Sequence, residues 1–149
     1  MSESLIYNRK VTADYEILES FEAGIELLGF EVKSIRKHQG SLLGSYITVR
    51  GGEAFIISSD IPAYQINNTP KEYDSKRNRK ILLTKSEIQK LASNETKKGL
   101  TIVPISMYSK GKKIKVQIAV VRSKKKYDKR HDIKKRETDR DIRREFSVR

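Results

Sequence analysis

The chain has no cysteine, only two histidines and three prolines, and no apolar run near the roughly 20 residues of a membrane span. Without cysteine there are no disulfides and no thiolate metal sites, which suits a reducing cytoplasm. His38 and His131 make no H-x-x-x-H spacing, and His131 sits in a densely charged C-terminal stretch, so no metal site is expected. Neither G-x-x-x-x-G-K-[ST] nor G-x-G-x-x-G occurs, which argues against a nucleotide loop or a cofactor. The opening MSESLIYNRK lacks an apolar stretch of signal-peptide length. These absences predict a soluble cytoplasmic protein that meets no membrane and no small-molecule substrate. An enzyme is the weakest reading, because the carboxylates of the first long strand alternate onto its polar face and spacing nominates no catalytic pair.

What the chain does have is positive charge. Its 149 residues carry a formal +13, with 34% charged and 36% hydrophobic residues, so the core must be modest. A surplus of that size favours a polyanion, since each phosphate neutralised by Lys or Arg releases condensed counterions. The charge is also unevenly placed. Residues 122–149 hold 13 Lys/Arg against 6 Asp/Glu, more than half of the whole surplus in under a fifth of the chain. The composition therefore divides at Val121, into a body of 1–121 and a basic tail of 122–149.

Period-two alternation dominates the body. In DYEILESFEAGIELLG, the residues Tyr15, Ile17, Phe21, Ala23, Ile25 and Leu27 share one parity, which predicts a long half-buried strand. Gly24 within it predicts a bulge or a close approach. Leu28, Val32 and Ile35 then recur at helical spacing before Gly40, a short helix. SYITVR and EAFIIS flank Gly51-Gly52, a hairpin signal. Residues 60–78 read as a loop, and KRNRKILLT as a further strand ending at Thr84. Thr84 and Glu87 have capping-box spacing, opening a helix that should reach about Lys98 and stop at Gly99. TIVPISMY and KIKVQIAV close the body as two strands, Val103, Ile105 and Met107 alternating in one and Ile114, Val116, Ile118 and Val120 in the other. The predicted order is strand, short helix, three strands, helix, two strands. That is a mainly β fold with helices: a six-stranded, OB-like β-barrel with short flanking helices and a disordered basic C-terminal tail.

Two regions suggest binding chemistry. KRNRK places Lys76, Arg77, Arg79 and Lys80 at the end of a long loop, with Tyr64 and Tyr73 upstream. Arginine forks match phosphates and tyrosine rings stack on unpaired bases, so RNA or DNA contact is favoured over a solvated charge run. The second region is KKKYDKRHDIKKR. Ile133 and Ile142 are nine residues apart, about half a turn out of phase, so no continuous stripe could dock the tail on the body. Disorder in isolation is expected, with latent helicity. Asp128 and Asp132 are hard to explain in a tail that serves only as phosphate glue.

FEAGIELLGFEVKSIR, GSYITVRGGEAFI, RNRKILLTKSEI and KKKYDKRHDIKKR, in that order from about Asn8 to Arg136, resemble the SsrA-binding protein (SmpB) family. The resemblance implies an RNA-binding adaptor without an active site. It would bind the tRNA-like domain of transfer-messenger RNA, acting as a monomer when bound, and deliver that RNA to ribosomes stalled in translation. It further implies RNA contact at Glu22, Leu82 and Thr84, the last standing where the family commonly shows Asn or His. The tail would become helical on the ribosome, in the empty decoding centre and mRNA path. The tail positions concerned are Lys124, Lys125, Lys126, Asp128, Lys129, Arg130, Ile133, Lys134 and Arg136. Two departures are visible: Ser123 replaces a glycine before the lysines, and IPAYQINNTPKEYD lacks the Gly and His common after the family's Pro-Tyr region. The alternative from residues alone is a generic OB-type RNA-binding or ribosomal protein with a purely electrostatic tail.

Overall fold

The computed structural model describes residues 2–64 and 72–124. The elements are β1 (Ser2–Tyr7), α1 (Lys10–Asp14), β2 (Tyr15–Ile25), α2 (Gly29–Arg36), β3 (Tyr46–Arg50), β4 (Glu53–Ile57), β5 (Arg79–Leu82), α3 (Lys85–Glu95), β6 (Leu100–Lys110) and β7 (Lys113–Ser123). The strands form one antiparallel sheet in the order β1-β6-β7-β2-β5-β4-β3. Two expectations are thereby corrected. There are seven strands among the described residues, and no pairing there joins β1 to β3 to close a barrel. The physical reason is β1, which alternation did not reveal. It pairs with Ser106–Lys110, occupying half of the β6 edge, while β3 contacts β6 without a ladder.

Local chemistry explains most of the elements. Gly51 and Gly52, at φ 58° and 76°, supply the positive dihedrals that a two-residue hairpin requires between β3 and β4. Thr84 Oγ1 accepts from Glu87 N at 3.2 Å and Glu87 Oε1 accepts from Thr84 N at 3.0 Å, the capping box predicted for α3. That helix ends at Glu95, short of Lys98, and its last carboxylate is tied to β3. Glu95 accepts from Thr48 Oγ1 at 2.7 Å and from Val49 N at 3.0 Å. His38 Nδ1 lies 2.9 Å from the Leu5 carbonyl, joining the end of α2 to β1.

Two bulges decide which residues face the core. Between Ile17 and Glu19 the pairing with β7 slips by one residue at Leu18. Downstream, Phe21 and Ala23 pair with Ile118 and Val116 in the main core; upstream, Tyr15 and Ile17 fall on the other face, where Ile17 is exposed. The single face expected for these residues is therefore corrected, since one extra residue reverses every side chain beyond it. A slip between Pro104 and Ser106 does the same to β6. Met107 enters the main core, whereas Val103 and Ile105 join Val11, Ala119 and Val121 in a second cluster beneath α1. Gly24 is no bulge. A Cβ there would lie 3.3 Å from Leu82 Cβ, so the close approach is the correct half of that expectation.

Gly40 holds the tightest backbone junction. At φ +144° a Cβ would stand 2.8 Å from Ile6 Cδ1 and 3.2 Å from the Asp60 carbonyl oxygen. Gly40→Ala is expected to lower unfolding stability by about 1–3 kcal/mol. Gly44→Ala, with φ +77° and nothing within 4 Å, should cost no more than about 1–2 kcal/mol. Urea unfolding midpoints of the two variants give the comparison.

Candidate nucleic-acid interface

Arg77 and Arg79 were expected to meet phosphate; the fold gives them an internal partner instead. Leu28, Glu31, Val32 and Ile35 follow i, i+3, i+4, i+7 spacing, which carries Glu31 onto the inward face of α2. Glu31 is fully buried there. Its Oε1 accepts from Leu28 N at 2.7 Å and from Arg77 Nη2 at 2.6 Å. Its Oε2 accepts from Arg79 Nη2 at 2.6 Å and Nε at 3.0 Å, and from Arg77 Nε at 3.1 Å. The Tyr73 hydroxyl lies 2.8 Å from Oε2 and 2.7 Å from the Ile61 carbonyl. Burial alone would raise the Glu31 pKa, but the hydrogen bonds from Arg77, Leu28, Tyr73 and Arg79 outweigh it and hold it at about 2. Burial and the neighbouring Glu31 charge push the Tyr73 hydroxyl up to about 12, so it stays a neutral donor.

Arg79 is corrected from an RNA ligand to a structural residue. Its side chain is fully buried, and its remaining donors reach Ser59 O and Oγ, Arg77 O, Tyr73 Oη and Ser75 O at 3.0–3.1 Å. Arg77 is partly exposed, with its guanidinium turned onto Glu31. Lys80 reaches Glu53 Oε1 at 3.1 Å from a half-buried position. Of the four basic residues in KRNRK, Lys76 alone is exposed.

Glu22 and Leu82, two of the positions where the resemblance implies RNA contact, assemble elsewhere, on the outer face of the sheet. Register places Leu82 (β5) beside Gly24 (β2) and Gly24 beside Lys115 (β7); Lys115 in turn lies beside Tyr108 (β6). Glu22 lies two residues along the same face, opposite Gln117. Leu82 is 50% exposed, which rules out the core role that a strand leucine first suggests. It lines a groove with Gly24, Leu27 and Val32, rimmed by Lys112, Lys113 and Lys115. Arg36 braces that rim, donating to the Lys112 carbonyl at 2.8 Å and to Ser109 Oγ at 3.3 Å. Glu22 accepts from Tyr108 Oη at 2.5 Å and from Lys110 Nζ at 3.0 Å. Those two donors, Tyr108 foremost, hold its carboxyl below the ordinary range. Burial and then the Glu22 charge raise the Tyr108 hydroxyl, which therefore remains protonated.

The model of the family described as SmpB protein matches residues 5–148. The chain belongs to the SmpB family. It is 46% identical over 135 residues to the SsrA-binding protein of Microcystis aeruginosa, covering 91% of this chain and 88% of that one. The SsrA-binding protein of Thermosipho melanesiensis is 46% identical over 137 residues, covering 91% and 92% of the two chains. That of Clostridium tetani is 43% identical over 148 residues, covering 99% and 94%. A chain from a solved structure described as "tmRNA-SmpB: a journey to the center of the bacterial ribosome" matches with a TM-score of 0.70 at 37% identity, over 83% of this chain and 87% of that one.

In this SmpB-family chain Glu22 and Leu82, some sixty residues apart in sequence, thus share one surface. Thr84 is exposed two residues beyond Leu82 with its hydroxyl committed to the α3 cap. The lysines at 110, 112, 113 and 115 were missed as site candidates, because KGKKIK reads as the turn and strand start of a hairpin and not as a binding motif. Of the tail positions, Lys124 is half-buried, its backbone N–H donating to the Asp14 carbonyl at 3.0 Å and its Nζ to the Thr12 carbonyl at 3.1 Å. Lys125, Lys126, Asp128, Lys129, Arg130, Ile133, Lys134 and Arg136, with the expected tail disorder, lie outside the described residues. No helix among the described residues is long and apolar enough to cross a membrane.

The buried cluster has a pH signature. Because the folded-state pKa of Glu31 is depressed to about 2 from 4.5, its contribution is complete above pH 4.5 and disappears as pH falls toward 2. The loss should be roughly 3 kcal/mol across that window. Glu31→Gln should itself destabilise by about 3–5 kcal/mol by leaving Arg79 buried without a counter-charge, and should flatten the acid limb. Chemical denaturation from pH 7 to pH 2 measures both.

Proposed function

We propose that this chain is an RNA-binding adaptor, without an active site, that binds transfer-messenger RNA and brings it to stalled ribosomes for trans-translation in the cytoplasm. The observation that carries this reading is the family match over nearly the whole chain, together with SsrA-binding proteins that it matches over 88% and 94% of their length. The body, 1–121, meets the tRNA-like domain through the outer sheet face, where Glu22 and Leu82 lie among lysines. Lys110, Lys112, Lys113 and Lys115 supply sequence-independent attraction to phosphate, while a carboxylate and an apolar side chain discriminate by shape and donor pattern. Lys76 extends this attraction from the loop before β5, and Thr84 serves the interface by fixing the start of α3. The tail, 122–149, serves the ribosome, with Asp128, Lys129 and Arg130 at its centre.

The chain should bind transfer-messenger RNA more tightly than bulk tRNA at every salt concentration; equal affinities would leave only the generic RNA-binding alternative. Lys76→Ala should lower the slope of log affinity against log salt by about 1 without altering preference between RNAs. Since β7 continues to Ser123 and Lys124 is anchored on α1, the informative truncation removes 125–149. That truncation should retain RNA binding and abolish tagging of stalled peptides in a translation extract. Persistent tagging would show the tail to be dispensable.

A further inference from the structure

The tail starts from a root that the body holds. The ladder between β7 and β2 runs to its last residue, with Ser123 opposite Tyr15. The Lys124 N–H extends that ladder by one bond, donating to the Asp14 carbonyl at 3.0 Å. Arg122 Nη2 donates to Glu16 Oε2 at 2.6 Å across the same two strands. Lys124 Nζ then turns back onto α1 and donates to the Thr12 carbonyl at 3.1 Å. Both carbonyls belong to the last turn of α1, where backbone acceptors have no partner within the helix and the dipole is negative. No basic residue of α1 itself lies in that turn, so Lys124 supplies, from far along the chain, the cation that a helix end favours. The helix is in turn part of the packed body, since Val11 joins Val103, Ile105, Ala119 and Val121 in the second cluster.

Lys124 therefore differs from the lysines that follow it in the sequence, because an ammonium spent on a helix end is not offered to a phosphate. Pairing through Ser123 also leaves no freely rotating residue at the junction, at the position where the resemblance leads one to expect glycine. We propose that Lys124 is a positioning residue for the tail and not one of its ribosome contacts. By tying the root to α1 it fixes the point and the direction from which residues 125–149 start, and that direction decides whether the tail meets the ribosome while the body holds RNA. This rests on the division of labour between body and tail given above. The physical gain is pre-organisation: a segment on a fixed root samples a smaller volume than one on a loose root, so its effective concentration at a distant target is higher.

The chain has no cysteine, so Lys126→Cys accepts a single fluorophore beside the root. In the free full-length protein, Lys124→Met should lower the anisotropy of that probe, since methionine keeps the apolar stem and loses the ammonium. In a translation extract, unlabelled Lys124→Met should tag stalled peptides about tenfold more slowly. Its affinity for transfer-messenger RNA and the salt slope of that binding should stay at the wild-type values. Two glycines inserted between Lys124 and Lys125 leave every body contact in place and should slow tagging by a similar factor. Combined with Lys124→Met they should add little, because both changes act through the same root. Thermal unfolding separates these effects from loss of fold, which would weaken RNA binding as well. Unchanged anisotropy or unchanged tagging in Lys124→Met overturns the positioning role, and so does a glycine insertion without effect. If Lys124→Met instead lowers the salt slope of ribosome association by about 1 and leaves the probe unmoved, Lys124 is a phosphate contact. Tagging that survives removal of 125–149 overturns the reading of the tail and this inference with it. Tagging lost on that truncation but kept in Lys124→Met overturns this inference alone.

Discussion

The buried carboxylate of Glu31 is the constraint on which the arrangement of this molecule depends. Removing a carboxylate from water costs several kcal/mol, and attraction offsets that cost only when every lone pair is met. Here α2 brings the acid, the start of β5 brings Arg79, and the connection from β4 to β5 brings Ser59, Tyr73 and Arg77. No buried side-chain polar atom among the described residues lacks a partner. A cluster so completely bonded fixes where β5 begins relative to α2. The position of β5 in turn sets Leu82 against Gly24 and opens the groove beside the lysines of β7.

The same cluster separates two kinds of positive charge. Guanidinium groups are weakly hydrated and planar, so they serve the interior, where a fork meets a carboxylate. Lysine ammonium groups stay on the rim and on the outer sheet face. The result is a protein whose conspicuous basic motif, KRNRK, is half structural, while the surface proposed for RNA is lined by lysines of the β6–β7 hairpin. Glu22 belongs to that surface without neutralising it, since its charge is shared with Lys110 and a tyrosine hydroxyl.

Bulges supply the second organising device. At Leu18 and at the Pro104–Ser106 slip, one strand gains a residue on its partner, and the face turned to the core exchanges with the face turned outward. This is why β6 and β7 are apolar on both faces at one end, where α1 covers Val103, Ile105, Ala119 and Val121. At the other end the outer face is polar and open. A strand of uniform alternation would have left α1 with nothing to cover.

Much of this was legible from residue patterns. Alternation located the five strands from β3 to β7 and the long β2, the Gly51-Gly52 pair located a hairpin, and Thr84 with Glu87 located a helix start, because each depends on contacts a few residues apart. The family was legible in the ordered strings from FEAG to KKKYDKR. Other features were not. β1 carries too weak an alternation to stand out, and its partner lies a hundred residues away. Glu31 did leave a signal, an acid on the apolar stripe of α2, but its value depended on which cations would be buried beside it. Charge surplus, turn chemistry and local periodicity are properties of the chain itself, and the sequence by itself determined them. Whether an arginine faces phosphate or a carboxylate, which side of a bulged strand is wet, and that Glu22 and Leu82 share a surface were decided only by tertiary structure. Each of these follows from long-range register and from the desolvation of charges that meet only when the sheet has formed.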